Sequence, residues 1–192
     1  MTFQSALSKL EESSLEKVMS VLGGITGSKA EVSIITEAIQ RDHDDLKKFI
    51  KLLKDEKVLS SVKRKIFGEF ASLLRSHSKA EEKAMYELSE KLPGLKLKTL
   101  EGYVEHQVAS NLLRKISINP TTKELNGWLA QVQVLAELVE HHVLEEESDL
   151  LPEVKKELSQ KAQTDSCRKF IRLRKSSQRN ITQKNAGVLA HA

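Results

Sequence analysis

Four stretches of this chain carry apolar residues at the three-and-four spacing of a helix face, and each of these stripes is broken by a histidine. The first stripe is Ile35, Ile39, Leu46, Ile50 and Leu53, with Val32 and Phe49 beside it and His43 in its gap. The second is Val62, Ile66, Phe70, Leu73, Ala84 and Leu88, interrupted by His77 and, one turn on, by Glu81. The third passes through Tyr103 and Leu113 around His106. The fourth is Leu125, Trp128, Val132, Leu135 and Val139, followed on the same face by His142 and Glu146. A chain built this way must bury four helix faces against one another and bury imidazoles and carboxylates with them.

The punctuation agrees with long helices and short loops. Ser28 to Glu31 reads as a capping box that opens a helix running to about Lys54, and Thr121 to Glu124 reads as a second one opening the fourth helix. A helix from about Glu56 to Lys91 stops at Pro93 and Gly94, and one from about Leu97 to Ile116 stops before Asn119 and Pro120. Pro152 kinks the fourth helix or starts a new turn that continues to about Lys161. The expected fold is all-α, an up-down-up-down four-helix bundle at residues 28–160. An amphipathic N-terminal segment at 1–27, with Leu7, Leu10, Leu15, Val18, Met19 and Leu22, precedes it.

Composition removes the competitors. Only 4% of residues are aromatic, and Gly and Pro number 8 and 3, too few for a sandwich of many strands or a collagen-like chain. The single cysteine, Cys167, excludes a disulfide scaffold. No apolar run is long enough to span a bilayer, and no signal-peptide core is seen, so the expected setting is cytoplasmic.

The net charge of +4 is a property of one end. From Gln163 to the end, within an expected basic tail at 161–192, stand Arg168, Lys169, Arg172, Arg174, Lys175, Arg179 and Lys184 with one acid, Asp165, and the rest of the chain is net acidic. Such a basic tail suits an acidic partner, nucleic acid or anionic lipid, but its plainer reading is a solvated, flexible end. Phe170, Ile171 and Leu173 offer a different outcome, a short helix docked on the body. Arg168 and Lys169 beside Cys167 would make its thiol reactive; the plainer reading is an ordinary reduced cysteine.

Buried acids and imidazoles gathered in one small core call for a cation, because each unpaired buried carboxylate costs several kcal/mol. Imidazole with carboxylate suits iron, manganese or zinc. Two His-x3-Glu pairs on separate helices suit two metals with Glu81 and Glu146 bridging. Taken singly, each histidine reads as an ordinary core residue; four stripes broken together do not. Neither Glu-x-x-His nor His-Glu-x-x-His occurs, which disfavours a ferritin-like carboxylate site and a zinc-protease site.

The order His43, His77-x3-Glu81, His106, His142-x3-Glu146 resembles the hemerythrin-like, or HHE cation-binding, family over roughly Ser28 to Leu158. The local strings agree, including Arg41-Asp42-His43-Asp44-Asp45-Leu46 and Glu140-His141-His142-Val143-Leu144-Glu145-Glu146. The resemblance implies a non-haem di-iron centre of two iron ions, ahead of manganese or zinc, held by His43, His77, Glu81, His106, His142 and Glu146. It implies small ligands such as dioxygen, nitric oxide or peroxide, and work in oxygen or redox sensing or iron handling. The alternative is a di-iron enzyme that detoxifies peroxide or nitric oxide or repairs iron–sulfur centres. A third reading, a metal-free interaction bundle worked by its tail, leaves the buried polar groups without partners.

Two points stay open in the sequence. His141 and Glu145 repeat the spacing of His142 and Glu146, and the stripe through Leu135 and Val139 favours the latter pair. Oxygen carriers resembling this chain place two histidines one turn apart on the third helix, whereas the positions one turn from His106 here are Gly102 and Ser110. One iron would then be more open, or filled by water, His141 or a carboxylate such as Glu105, which counts against reversible oxygen carriage. Tyr86 and Tyr103 read as core or interfacial residues, and the oligomeric state is left open.

Overall fold

The computed structural model describes residues 16, 33–118 and 125–189, with side chains given to 117 and 177 in the two long stretches. The N-terminal helical segment and both capping boxes lie outside the described residues, apart from Glu16. Within them the structure is all-helical, without strands. Five helices make a bundle: α1 (Ile35–Lys54), α2 (Ser60–Glu81, continued to Ser89), α3 (Lys96–Ile118), α4 (Leu125–Glu145, continued to Glu157) and α5 (Gln160–Leu189).

The apolar stripes decide the packing. α1 lies between α2 and α4, and α3 closes the ring by touching both α2 and α4. Below the histidines, Leu46, Phe70, Leu113, Leu135 and Val139 belong to one continuous apolar cluster. Above them, Ile35, Ile39, Met85, Tyr86, Leu95 and Leu150 belong to a second. The polar residues sit in the layer between, so both ends of that layer are sealed by hydrocarbon. Burying each large aliphatic side chain contributes about 1.5–3 kcal/mol, and these two clusters offset the cost of the polar layer between them.

α2 and α4 are not regular throughout. Each passes through one π-helical turn, Glu82–Tyr86 in α2 and Glu146–Leu150 in α4. A π turn adds a residue to the local register, so side chains five apart come to share a face. In α4 the turn lies directly before Pro152, whose ring lacks the N–H a regular helix would use. The helix therefore continues past Pro152 to Glu157 and ends short of Lys161.

Of the two outcomes open for the basic segment, the docked helix is the one seen where side chains are described, up to residue 177. From Gln160 the chain is a helix that packs on α1 and α2. Gln163, Cys167 and Phe170 are buried at helical spacing, and the basic side chains of Arg168 and Arg172 stay in water. Gln163 also donates from Nε2 to the Lys155 and Leu158 carbonyls at 2.9 and 3.1 Å, satisfying the end of α4. Long basic residues alternate with a narrow apolar face here, so net charge conceals the buried side. Burial raises the Cys167 thiol, against the reactive cysteine that its neighbours suggested.

Candidate metal centre

Each of the four bundle helices sends one imidazole into the polar layer. His43 and His77 lie with ring centroids 5.0 Å apart, and His106 and His142 with theirs 4.7 Å apart. Between the two pairs stand Glu81, wholly buried, and Glu146, nearly so. Glu81 Oε2 is 3.2 Å from His77 Nε2 and 3.4 Å from His106 Nε2. Glu146 Oε2 is 3.4 Å from His43 Nε2 and 3.7 Å from His142 Nε2. Each carboxylate thus reaches one imidazole of either pair. Two groups of buried residues with mutually close ligand atoms result: His43, His77 and Glu81, and Glu81, His106 and His142.

All four Nε2 atoms face inward, and all four Nδ1 atoms face outward toward a carboxylate, three of them in hydrogen bonds. His43 Nδ1 donates to Glu147 at 3.2 Å, His106 Nδ1 to Glu82 at 3.1 Å and His142 Nδ1 to Glu105 at 2.7 Å, while His77 Nδ1 faces the Asp42 carboxylate at 3.4 Å. The arrangement is cyclic. Asp42 of α1 serves α2, Glu82 of α2 serves α3, Glu105 of α3 serves α4, and Glu147 of α4 serves α1. Every outer carboxylate is the chain neighbour of an inward residue, and a step of one residue turns about 100° round a helix, toward the adjacent helix. Carboxylates on Nδ1 fix the tautomer and leave the Nε2 lone pair for a metal.

The charges follow from this geometry. Burial alone would lower the His77 pKa, but Glu81 and Asp42 outweigh it and raise it to about 10. Burial opposes His106 as well, and Glu81 and Glu82 carry it to about 9. Burial would raise Glu81, yet His77 and His106 hold it well below the ordinary carboxylate range. Glu147 is lowered to about 2, first by the hydrogen bond from His43, with burial opposing and Lys47 assisting.

Tyr86 has a place that its sequence position conceals. Five residues after Glu81, it would point away from the core on a regular helix; the π turn returns it to the inner face. Its ring stacks on His106 at 5.3 Å, and its hydroxyl donates to Glu146 Oε1 at 2.5 Å. Burial, then Glu146 and Glu81, push its pKa well up, so the phenol keeps its proton. Gly102 makes room for it: a Cβ there would collide with the Tyr86 hydroxyl. The position one turn before His106 is thereby filled by a phenol from α2. Ser110, one turn after His106, lines a cleft of about 260 Å³ between α2 and α3 whose wall includes His106.

His141 is exposed and pairs with Glu145 outside the bundle. Glu105 stands behind His142 rather than among the inward atoms. Neither supplies a further inward donor. The six residues singled out from the sequence are brought together in one layer. Asp42, Glu82, Glu147 and Tyr86 lie outside what the stripes single out, because in sequence they read as charge runs or packing. The legible signal of the outer carboxylates is an acid beside one inward residue on each helix, next to His43, Glu81, His106 and Glu146.

The donor set fits a metal. His43 Nε2, His77 Nε2, both Glu81 oxygens and Glu146 Oε2 are buried without a hydrogen-bond partner. His106 Nε2 and His142 Nε2 face each other at 3.1 Å with both Nδ1 atoms already committed as donors. Inward lone pairs and buried anions of this kind are satisfied together by a cation.

A family model, the hemerythrin HHE cation-binding domain, matches residues 34–154. The chain belongs to that family. Neither a curated protein nor a solved structure matches it. The hemerythrin segment contains all six inward residues and all four outer carboxylates, and it ends before α5. No helix among the described residues is long and apolar enough to cross a membrane.

Proposed function

We propose that this hemerythrin-like chain is a non-haem di-iron protein that binds a small ligand, dioxygen, nitric oxide or peroxide, in oxygen or redox sensing or iron handling. The up-down-up-down order of α1 to α4 and the boundaries 28–160 belong to the same reading. One metal would be held by His43 and His77, the other by His106 and His142, with Glu81 and Glu146 shared. The observation that carries the proposal is the inward set of four Nε2 atoms, each with its Nδ1 turned to a carboxylate, around two buried glutamates. Iron there would supply reversible one-electron chemistry and exchangeable positions for a small ligand.

The chain's own residues do the rest. The outer carboxylates orient the imidazoles. The two apolar clusters exclude bulk water. Tyr86 holds a proton against Glu146, on the side of the site where its ring stacks on His106. That phenol favours the second reading, a di-iron enzyme acting on peroxide or nitric oxide, because it provides a buried hydroxyl next to the site. A buried, reduced thiol at Cys167 suits a reducing compartment, the cytoplasm.

Titrating the ferrous-loaded protein with nitric oxide and with peroxide separates the two. Saturation at about one ligand per dinuclear site with the ligand recovered intact supports sensing or handling. Sustained consumption of ligand supports the enzyme. No spectral response to either ligand would contradict both.

A further inference from the structure

α5 follows the hemerythrin segment, yet it touches the centre at two points. Phe170 packs edge-on against the His77 ring, centroids 5.9 Å apart and planes at 82°. One turn later, Arg174 forms an ion pair with Asp42, through the same oxygen that faces His77 Nδ1. The inner face of the helix is Gln163, Cys167 and Phe170, and Arg174 extends it.

We propose that Arg174 is a positioning residue of the metal centre, which acts through Asp42 to fix the His77 imidazole and makes α5 a working part of the site. The proposal rests on the dinuclear reading above. Its ground is the difference among the four outer carboxylates. Glu82, Glu105 and Glu147 are 33, 22 and 23% exposed, so water reaches them. Asp42 is 7% exposed, and its side chain depends on a protein cation to remain a buried anion. Arg174 is that cation, and the fork of its guanidinium matches a carboxylate. Without it, Asp42 is left as a buried charge whose relief is to turn away from His77. The imidazole then loses the contact that holds its tautomer and ring orientation, while Phe170 alone guards its face. The half held by His43 and His77 should loosen, and the half held by His106 and His142 should not.

The test uses the full chain loaded with ferrous iron, challenged with a ferrous chelator, with iron release followed in time and the iron spectrum recorded. Arg174→Gln keeps the length and removes the charge; Arg174→Lys keeps the charge; Asp42→Asn removes the acceptor. Arg174→Gln should release one of the two irons on the order of tenfold faster and leave the other at the wild-type rate. Arg174→Lys should restore most of the difference. Asp42→Asn should reproduce the Arg174→Gln release, and the double variant should be no faster than either single one. Wild-type release and spectrum in Arg174→Gln would overturn the proposal. So would equal acceleration of both irons, which marks general loosening, or additive effects in the double variant. If Arg174→Gln does not fold, Asp42→Asn and Arg174→Lys still decide it by the same rates. Wild-type chain that retains no iron would overturn the dinuclear reading itself, whereas two retained irons with an indifferent Arg174 would overturn this proposal alone.

Discussion

The two halves of the centre share their carboxylates but differ in what stands behind them. In the half formed by α1 and α2, Glu147 is paired with Lys47 at 2.9 Å and Asp42 with Arg174, so both outer acids are neutralised. Phe170 covers His77, and His43 and His77 are sealed from solvent. In the half formed by α3 and α4, Glu82 and Glu105 form no close ion pair with a lysine or arginine among the described residues. His106 carries the Tyr86 ring on one face and borders the cleft between α2 and α3. Imidazoles sealed from solvent favour retention; an imidazole bordered by a cleft favours exchange. Small ligands are therefore expected at the His106 and His142 half, with the His43 and His77 half as its anchor.

The most disruptive way to break this comparison is to remove what the halves share. Glu81→Ala should lose both metals, and its metal-free form should be less stable by roughly 3–5 kcal/mol, because two buried imidazoles lose their common counter-ion. Metal analysis and urea unfolding of the same preparation check both statements. Next in size is the removal of one half. His106→Ala should keep about one metal per chain and lose the response to nitric oxide, whereas His77→Ala should weaken retention first. Equal behaviour of the two variants would remove the distinction between anchor and exchange side.

The six inward residues and the helices that carry them were legible because both obey one periodicity. An apolar stripe fixes the buried face, and a polar residue on that stripe is marked by its position alone. The outer ring was not legible in the same way. Asp42, Glu82, Glu105 and Glu147 lie about 100° off the stripe, and which imidazole each meets depends on which helices are neighbours. Tyr86 was hidden by the π turn, since a count of five on a regular helix points elsewhere. Arg174 was hidden by composition: a basic segment reads as solvated, and two of the four side chains on its buried face, Gln163 and Ser166, are polar.

A smaller effect is expected from pH, with opposite sense in the metal-free and loaded forms. His77 and His106 stand above their ordinary 6.5, at about 10 and about 9, in the metal-free protein. Their contribution to its stability is fully present below 6.5 and is lost as pH rises through about 9 and 10. Glu81, held low, contributes above its ordinary 4.5 and loses that contribution as pH falls. Metal needs the imidazoles neutral, so its affinity should rise across the same alkaline window in which the metal-free protein weakens. Melting curves with and without metal, taken at about pH 6.5 and about pH 9.5, should diverge; parallel curves would contradict the charge assignment.

The smallest effect concerns Tyr86 and sharpens the exchange side alone. Tyr86→Phe keeps the ring on His106 and removes a hydrogen bond to a carboxylate, a change of about 1.5–3 kcal/mol in stability. Metal content should stay as in the wild type, and the ligand-bound spectrum should shift. Gly102→Ala should give a similar shift, because its Cβ displaces the phenol. A normal spectrum in both would mean that the hydroxyl only fills space.

The central claim is tested most directly by counting metal. The full chain is loaded anaerobically with ferrous iron, desalted and submitted to elemental analysis, with zinc treated in parallel. A dinuclear centre built from His43, His77, Glu81, His106, His142 and Glu146 predicts about two irons per chain. No retained iron, or a single tight zinc, would contradict it and leave the inward histidines and glutamates as a purely structural layer.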